Sequence, residues 1–207
     1  MADLGAHALR FALAFALFGL GAAVYAGVAR RADWTRRAER AVGLVFACTT
    51  LAIRLLFVAS ATCDYSLVYV ASNSARSMAL PYRMAALWGG QAGSLLLWLW
   101  MLGIYSTACV ASQRHQNRTL MPWVAAVLLA NATFFLVVLC FVTNPFEPMP
   151  GGEVPSDGAG LNPLLQHPVM MIHPIVLYTG MTGFAVPFAF GVAALATGEL
   201  GSAWLRT

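Results

Sequence analysis

Five apolar stretches, each about as long as a bilayer is thick, run through this chain at residues 11–28, 41–61, 93–111, 120–143 and 174–198. A helix crossing about 30 Å of hydrocarbon at about 1.5 Å per residue needs about 20 such residues. Four of the stretches hold no charged side chain, and the second holds one, Arg54. They are too long for barrel strands, and lipid cannot satisfy an unpaired backbone group, so they predict helices. Composition excludes a soluble reading. Charged residues make up 10% of the 207 and apolar ones 60%, against about 25% and about 45–50% in globular chains. The fold class expected is all-α: a polytopic membrane protein of about five transmembrane helices, with residues 1–207 as a single membrane domain.

Arginine placement sets the expected orientation. The connection over residues 30–40 holds five arginines, the third connection holds Arg114 and Arg118, and the tail holds Arg206. The second connection holds only Arg76 and Arg83, and the fourth holds none. The N-terminus is therefore expected outside and the C-terminus inside, with two long outer loops over residues 62–92 and 144–173. Outer loops of that length point to function on the outer side.

The four cysteines contain no Cys-x-x-Cys pair, and three of them, Cys48, Cys109 and Cys140, lie within spans. Neither a redox pair nor a thiolate metal site is encoded. Arg54 reads either as the partner of an anion or as an arginine snorkelling to the interface. Residues 88–94, Trp-Gly-Gly-Gln-Ala-Gly-Ser, place Gly89 and Gly93 four apart. That spacing serves close helix packing, or, beside Trp88, a flat surface for a planar apolar ligand. His173-Pro174 predicts an N-cap for the fifth span, with proline at the first helical position. The helix dipole disfavours an imidazolium there, leaving a nitrogen lone pair for iron; a capping or interfacial histidine is the alternative. His7 and His167 are weaker second candidates, and His115 lies in an inner, solvated connection.

These residues assemble into a recognisable order. Tyr69-Val70-Ala71-Ser72-Asn73-Ser74, the run from Leu80-Pro81-Tyr82-Arg83 to Trp88-Gly89-Gly90, and Gly93-Ser94-Leu95-Leu96-Leu97-Trp98 resemble the N-terminal signature of CcmF-type cytochrome c haem lyases. Thr143-Asn144-Pro145-Phe146, Leu161-Asn162-Pro163-Leu164-Leu165-Gln166 and His173-Pro174 resemble its continuation, as does Gly183-Phe184-Ala185-Val186-Pro187. The resemblance implies a part in cytochrome c maturation. It implies that haem b arrives as substrate from a membrane-tethered haem chaperone and is presented for thioether attachment to apocytochrome c, which comes with its thiol-handling partners. It also implies that His173 is one haem axial ligand, with Trp88 and Arg83 in the haem surroundings, Arg83 as a propionate fork or an interfacial anchor. The family's tryptophan-rich outer loop and second outer histidine would lie beyond Thr207. The expectation is therefore the N-terminal portion of a haem lyase, either split or a fragment, without a complete catalytic set of its own. Its C-terminal portion and the lipid bilayer are expected partners, and nucleic acid is not. A bacterial inner membrane fits, and a mitochondrial inner membrane is the alternative. Two other classes stay open, a transporter or channel subunit and a purely structural assembly subunit. No span carries the acidic residue an ion relay needs, and none is visibly broken midway.

Overall fold

A computed structural model of the chain describes residues 1–199. Arg206, counted above on the inner side, lies outside the described residues. Helices α1 (Ala2–Ala29) and α2 (Ala32–Thr62) form a hairpin joined through Arg30 and Arg31. Arg30 closes α1 in the left-handed region at φ 52° and donates its N–H to the Ala26 carbonyl. The two helices lie close because α1 buries small residues at helical spacing, among them Gly5, Ala8, Ala12, Ala16, Gly19, Ala23 and Ala26. Between lipid-embedded helices, close backbone approach replaces the missing hydrophobic drive. A methyl at Gly19 would lie 2.6 Å from Ala41 Cβ. The opposite side of α1 leaves Phe11, Phe18 and Val28 exposed, as lipid-facing residues should be.

Helix α5 (Gln91–Gln113) packs on α2, and α6 (Met121–Phe141) on α1 and α5. Helices α7 (Pro168–Gly183) and α8 (Ala185–Thr197) lie mainly against α5 and α6 respectively. Among the described residues five segments are long and apolar enough to cross a membrane: α1, α2, α5, α6 and the combined Pro168–Thr197. The expected all-α polytopic architecture is borne out, and the chain is a multi-pass membrane protein.

The two long loops fold against each other at one end of the bundle. The first contains the short helices α3 (Val68–Asn73) and α4 (Leu80–Ala85). Leu67 and Pro148 form an isolated antiparallel bridge. Around it the Val68 N–H donates to Glu147 O at 3.0 Å, Met149 N–H to Ser66 O at 2.9 Å, and Ala159 N–H to Ala71 O at 2.8 Å. The Asp157 carboxylate accepts from the Arg76 N–H at 2.9 Å, the Tyr65 hydroxyl at 2.7 Å and the Gly158 N–H at 2.8 Å. These donors, the Arg76 N–H foremost, hold its carboxyl below the usual carboxylate range. Phe146 is 1% exposed, its ring seated against Gly5 where a side chain would collide with it.

Two expectations about the fifth span are corrected. His-Pro occurs twice, at 167–168 and 173–174, and the helix starts at the earlier one. His167 is the N-cap, its Nδ1 accepting the Val169 N–H at 3.2 Å, with Pro168 at the start of the helix. His173 lies inside α7, and Pro174 is tolerated there at the loss of one backbone bond. Nor is the span unbroken. Pro187 has no N–H for the Gly183 carbonyl, and helical bonding is interrupted at Phe184. Phe184 keeps right-handed backbone angles (φ −66°, ψ −18°), so α7 and α8 remain two pieces of one rod.

Candidate functional site

Helix α7 presents two contrasting faces. On one, Val169, Ile172, His173, Val176, Leu177 and Met181 follow each other at helical spacing and are all exposed, Val169, Ile172 and Val176 at 62–64%. His173 is the one ionisable group in this apolar stripe. The helix dipole does not reach it, because His173 lies inside α7 and that field falls off within the first turn. The field acts on His167 instead, whose Nδ1 is already engaged as the cap.

The other face of α7 is locked to α5. Tyr178 stacks on Trp98 with ring centroids 5.4 Å apart and planes 15° from parallel. Trp98 also touches Phe135 of α6 at 5.1 Å, and the Tyr105 hydroxyl donates to Thr179 O at 3.2 Å. Trp98 is thus a packing residue between helices. Trp100 turns its indole N–H to Thr50 Oγ1 at 3.0 Å, which ties α5 to α2. These contacts fix the rotation of α7 and so the direction in which His173 points.

Arg83 and Trp88 sit in the loop layer. Arg83 Nη1 donates to Ala61 O at 3.2 Å and to Cys63 Sγ at 3.3 Å, and its Nε is buried without a partner. The last carbonyls of a helix need such donors, and here the guanidinium supplies one at the end of α2. Burial pushes the Cys63 thiol up, but Tyr65, Arg83 and Ser74 outweigh it and the thiol titrates below its ordinary range. Trp88 is half-buried at the end of the 3-10 turn Ala86–Trp88, its carbonyl accepting from Ser94 Oγ at 2.9 Å. Among the described residues no hydrogen bond or ring contact joins His173 to Trp88 or Arg83; the helix carrying Arg83 packs directly on the turn carrying Trp88, and α5 lies between that turn and α7.

Gly89 and Gly93 form neither a helix–helix contact nor an open platform. The side of Gly89 is filled by Leu161, and that of Gly93 by the Leu87 carbonyl and the Tyr69 hydroxyl. From the sequence alone Tyr69 has no role beyond the motif it opens, yet it organises this region. Its hydroxyl donates to Leu87 O at 2.9 Å and accepts the Gly90 N–H at 3.1 Å, and burial pushes its phenol well up. The signal lay in Gly90 and Gly93, which are needed because a tyrosine and a carbonyl crowd them.

The remaining candidates stand apart. His7 Nδ1 donates to Asp3 O within α1. Arg54 is exposed on the outer side of α2. Among the described residues no three histidine, cysteine or acidic side chains gather as a metal site. The site therefore offers one imidazole in an apolar surround, suited to a single axial bond to a metal carried by an apolar ring.

Helical spans capped at one end by interlocked loops, with a lone imidazole on a side helix, define a class of polytopic membrane protein. A family model described as Cytochrome C assembly protein matches residues 88–202, and the chain belongs to that family. It is 35% identical over 207 residues to the cytochrome c-type biogenesis protein CcmF of Haemophilus influenzae, across 100% of this chain and 32% of that protein. The protein of the same name from Pseudomonas aeruginosa is 37% identical over 204 residues, covering 99% and 31%. Among solved structures, a chain named Cytochrome c Heme Lyase CcmF superposes with a TM-score of 0.83 at 29% identity, over 99% of this chain and 32% of that one. The chain spans about a third of the length of these relatives.

Proposed function

We propose that residues 1–207 form one membrane domain, the N-terminal part of a haem lyase for cytochrome c maturation. It sits in a bacterial inner membrane with the loop layer and the N-terminus outside. The observation that carries this reading is the solitary His173 on the exposed apolar stripe of α7. A porphyrin is a broad apolar plate whose iron takes an axial nitrogen. Side chains such as Ile172, Val176 and Leu177 suit the plate, and a neutral imidazole suits the iron.

The cargo is haem b, handed over by a membrane-tethered haem chaperone. One imidazole is half of a bis-histidine site, so the second nitrogen comes from the C-terminal portion of the lyase, which also covers the stripe. Arg83 holds the loop layer to the end of α2, and Trp88 is that layer's half-buried indole nearest the start of α5. The acceptor is an apocytochrome c kept reduced by its thiol-handling partners. Each cysteine thiol adds across a haem vinyl group: a carbon–sulfur bond forms and the hydrogen goes to the neighbouring vinyl carbon.

The test is co-expression of the chain with the C-terminal portion and purification of the pair. His173→Ala is expected to remove most haem absorbance and to change the axial-ligand spectrum, with the pair still assembled. Unchanged haem content and ligation in that variant would sink the proposal.

A further inference from the structure

The end of the bundle away from the loop layer holds a cleft of about 1030 Å³ between the α1–α2 turn, the α5–α6 connection and the end of α8. Five arginines among the described residues line it: Arg30, Arg36 and Arg40 on one wall, Arg114 and Arg118 on the other. His115 joins them, and the carboxylates that line it are Glu39 and Glu199. The one salt bridge among the described residues is Arg31–Asp33, outside this set. None of the five guanidinium groups is therefore neutralised at contact distance by a described carboxylate.

The floor is apolar. Gly27, Met121, Pro122 and Trp123 come from the ends of membrane spans. The Trp123 indole lies across Gly27, where a methyl would be 2.7 Å from its Cε2. Guanidinium forks above an indole at the end of a span match the boundary between phosphate and glycerol in a leaflet. The arginines select a phosphate oxyanion, since they bind it with two parallel N–H donors. The apolar floor and the volume select one that carries hydrocarbon.

We infer that this arginine-lined cleft binds the headgroup of an anionic phospholipid, best one with two phosphodiesters that reach both walls. The site lies at the opposite end of the spans from His173 and does not depend on haem. Each arginine near an anionic headgroup is worth about a fivefold change in affinity, so two removed together should weaken binding about thirtyfold.

The experiment uses the 207-residue chain purified in detergent, where insertion topology plays no part, with lipid binding read by native mass spectrometry. Cardiolipin is expected to bind tighter than phosphatidylcholine. Arg36→Gln with Arg114→Gln should weaken cardiolipin about thirtyfold, whereas Arg54→Gln with Arg76→Gln, an equal charge loss elsewhere, should change it less than twofold. Equal loss in both pairs, no loss in the first, or equal affinity for phosphatidylcholine would overturn the site. Displacement of cardiolipin by millimolar inorganic phosphate would make the ligand a free anion and overturn the lipid assignment. A photoreactive cardiolipin on the unmodified chain gives a measurement independent of folding of the variants. Label on peptides bearing Met121 and Trp123 supports the site, and label confined elsewhere refutes it.

Discussion

Replacing Gly93 by alanine tests how the loop layer is joined to the spans. A methyl there would stand 2.7 Å from Tyr69 Cζ, and nearer still to the Tyr69 hydroxyl and the Leu87 carbonyl, where ordinary contact begins at 3.4 Å. To admit it, both the 3-10 turn Ala86–Trp88 and the ring of Tyr69 have to move. Either movement breaks the bonds from the Tyr69 hydroxyl to Leu87 O and from the Gly90 N–H to that hydroxyl. Overpacking costs about 1–3 kcal/mol, and a buried polar group left unpaired about 1–3 kcal/mol more. Against this, alanine gains only about 0.5–1 kcal/mol over glycine within a helix. The clash wins, so Gly93→Ala should be destabilised by about 1–5 kcal/mol. Gly21→Ala and Gly43→Ala, with nothing within 4 Å of the added methyl, should be unchanged or slightly more stable. Thermal unfolding in detergent reads the stability. Maleimide labelling of buried Cys63, located by mass spectrometry, reads whether the loop layer has loosened. If Gly93→Ala unfolds and labels as the two controls do, the proposed tie between Tyr69 and the start of α5 is wrong.

Other consequences follow from the same layer. Phe146→Ala empties the notch at Gly5 and should destabilise the protein by about 3–5 kcal/mol, measured by the same melts. Asp157 titrates below its ordinary range because of the Arg76 N–H, the Tyr65 hydroxyl and the Gly158 N–H. Its contribution is therefore complete above its unfolded value of about 4 and is lost as pH falls through the lower folded value. Amide hydrogen exchange at Arg76 and Gly158 should quicken below about pH 4, and Asp157→Asn should remove that dependence. Trp98→Leu takes away the stacked partner of Tyr178 and should loosen α7 from α5, seen as faster exchange along α7 with α1 and α2 unaffected. Equal protection of α7 in that variant would count against Trp98 as the seam.

The spans were legible because membrane thickness is a fixed ruler and the chain meets it with runs of uncharged residues. The arginine count also marked something real, since the first and third connections meet at one end of the bundle, around the same cleft. The loop layer was not legible. It is held by main-chain bonds such as Ala159 to Ala71 and by Asp157, which reaches partners 81 and 92 residues away, and no local periodicity announces such bonds. The fifth span was misplaced for a narrower reason. Two His-Pro pairs compete for the helix start, and the winner is decided by whether the ring before proline can reach an N–H two residues on, as His167 does. Gly89 and Gly93 announced close approach correctly but not the partner, which is a carbonyl, a phenol and a leucine rather than another helix.

The interlocking of the two loops has a consequence for how the chain is made. Tyr65, Ala71 and Ser74 find their partners at Asp157, Ala159 and Gly160, on the far side of α5 and α6. While the ribosome is still building those two helices, the earlier segment has α2 to rest on but lacks its partners at Asp157, Ala159 and Gly160. Its shape is completed only when the later segment arrives, so the assembly of this face is a closing step in biogenesis rather than an opening one. An interruption of synthesis just after α6 would leave a protein that spans the bilayer four times and has no finished surface on that side.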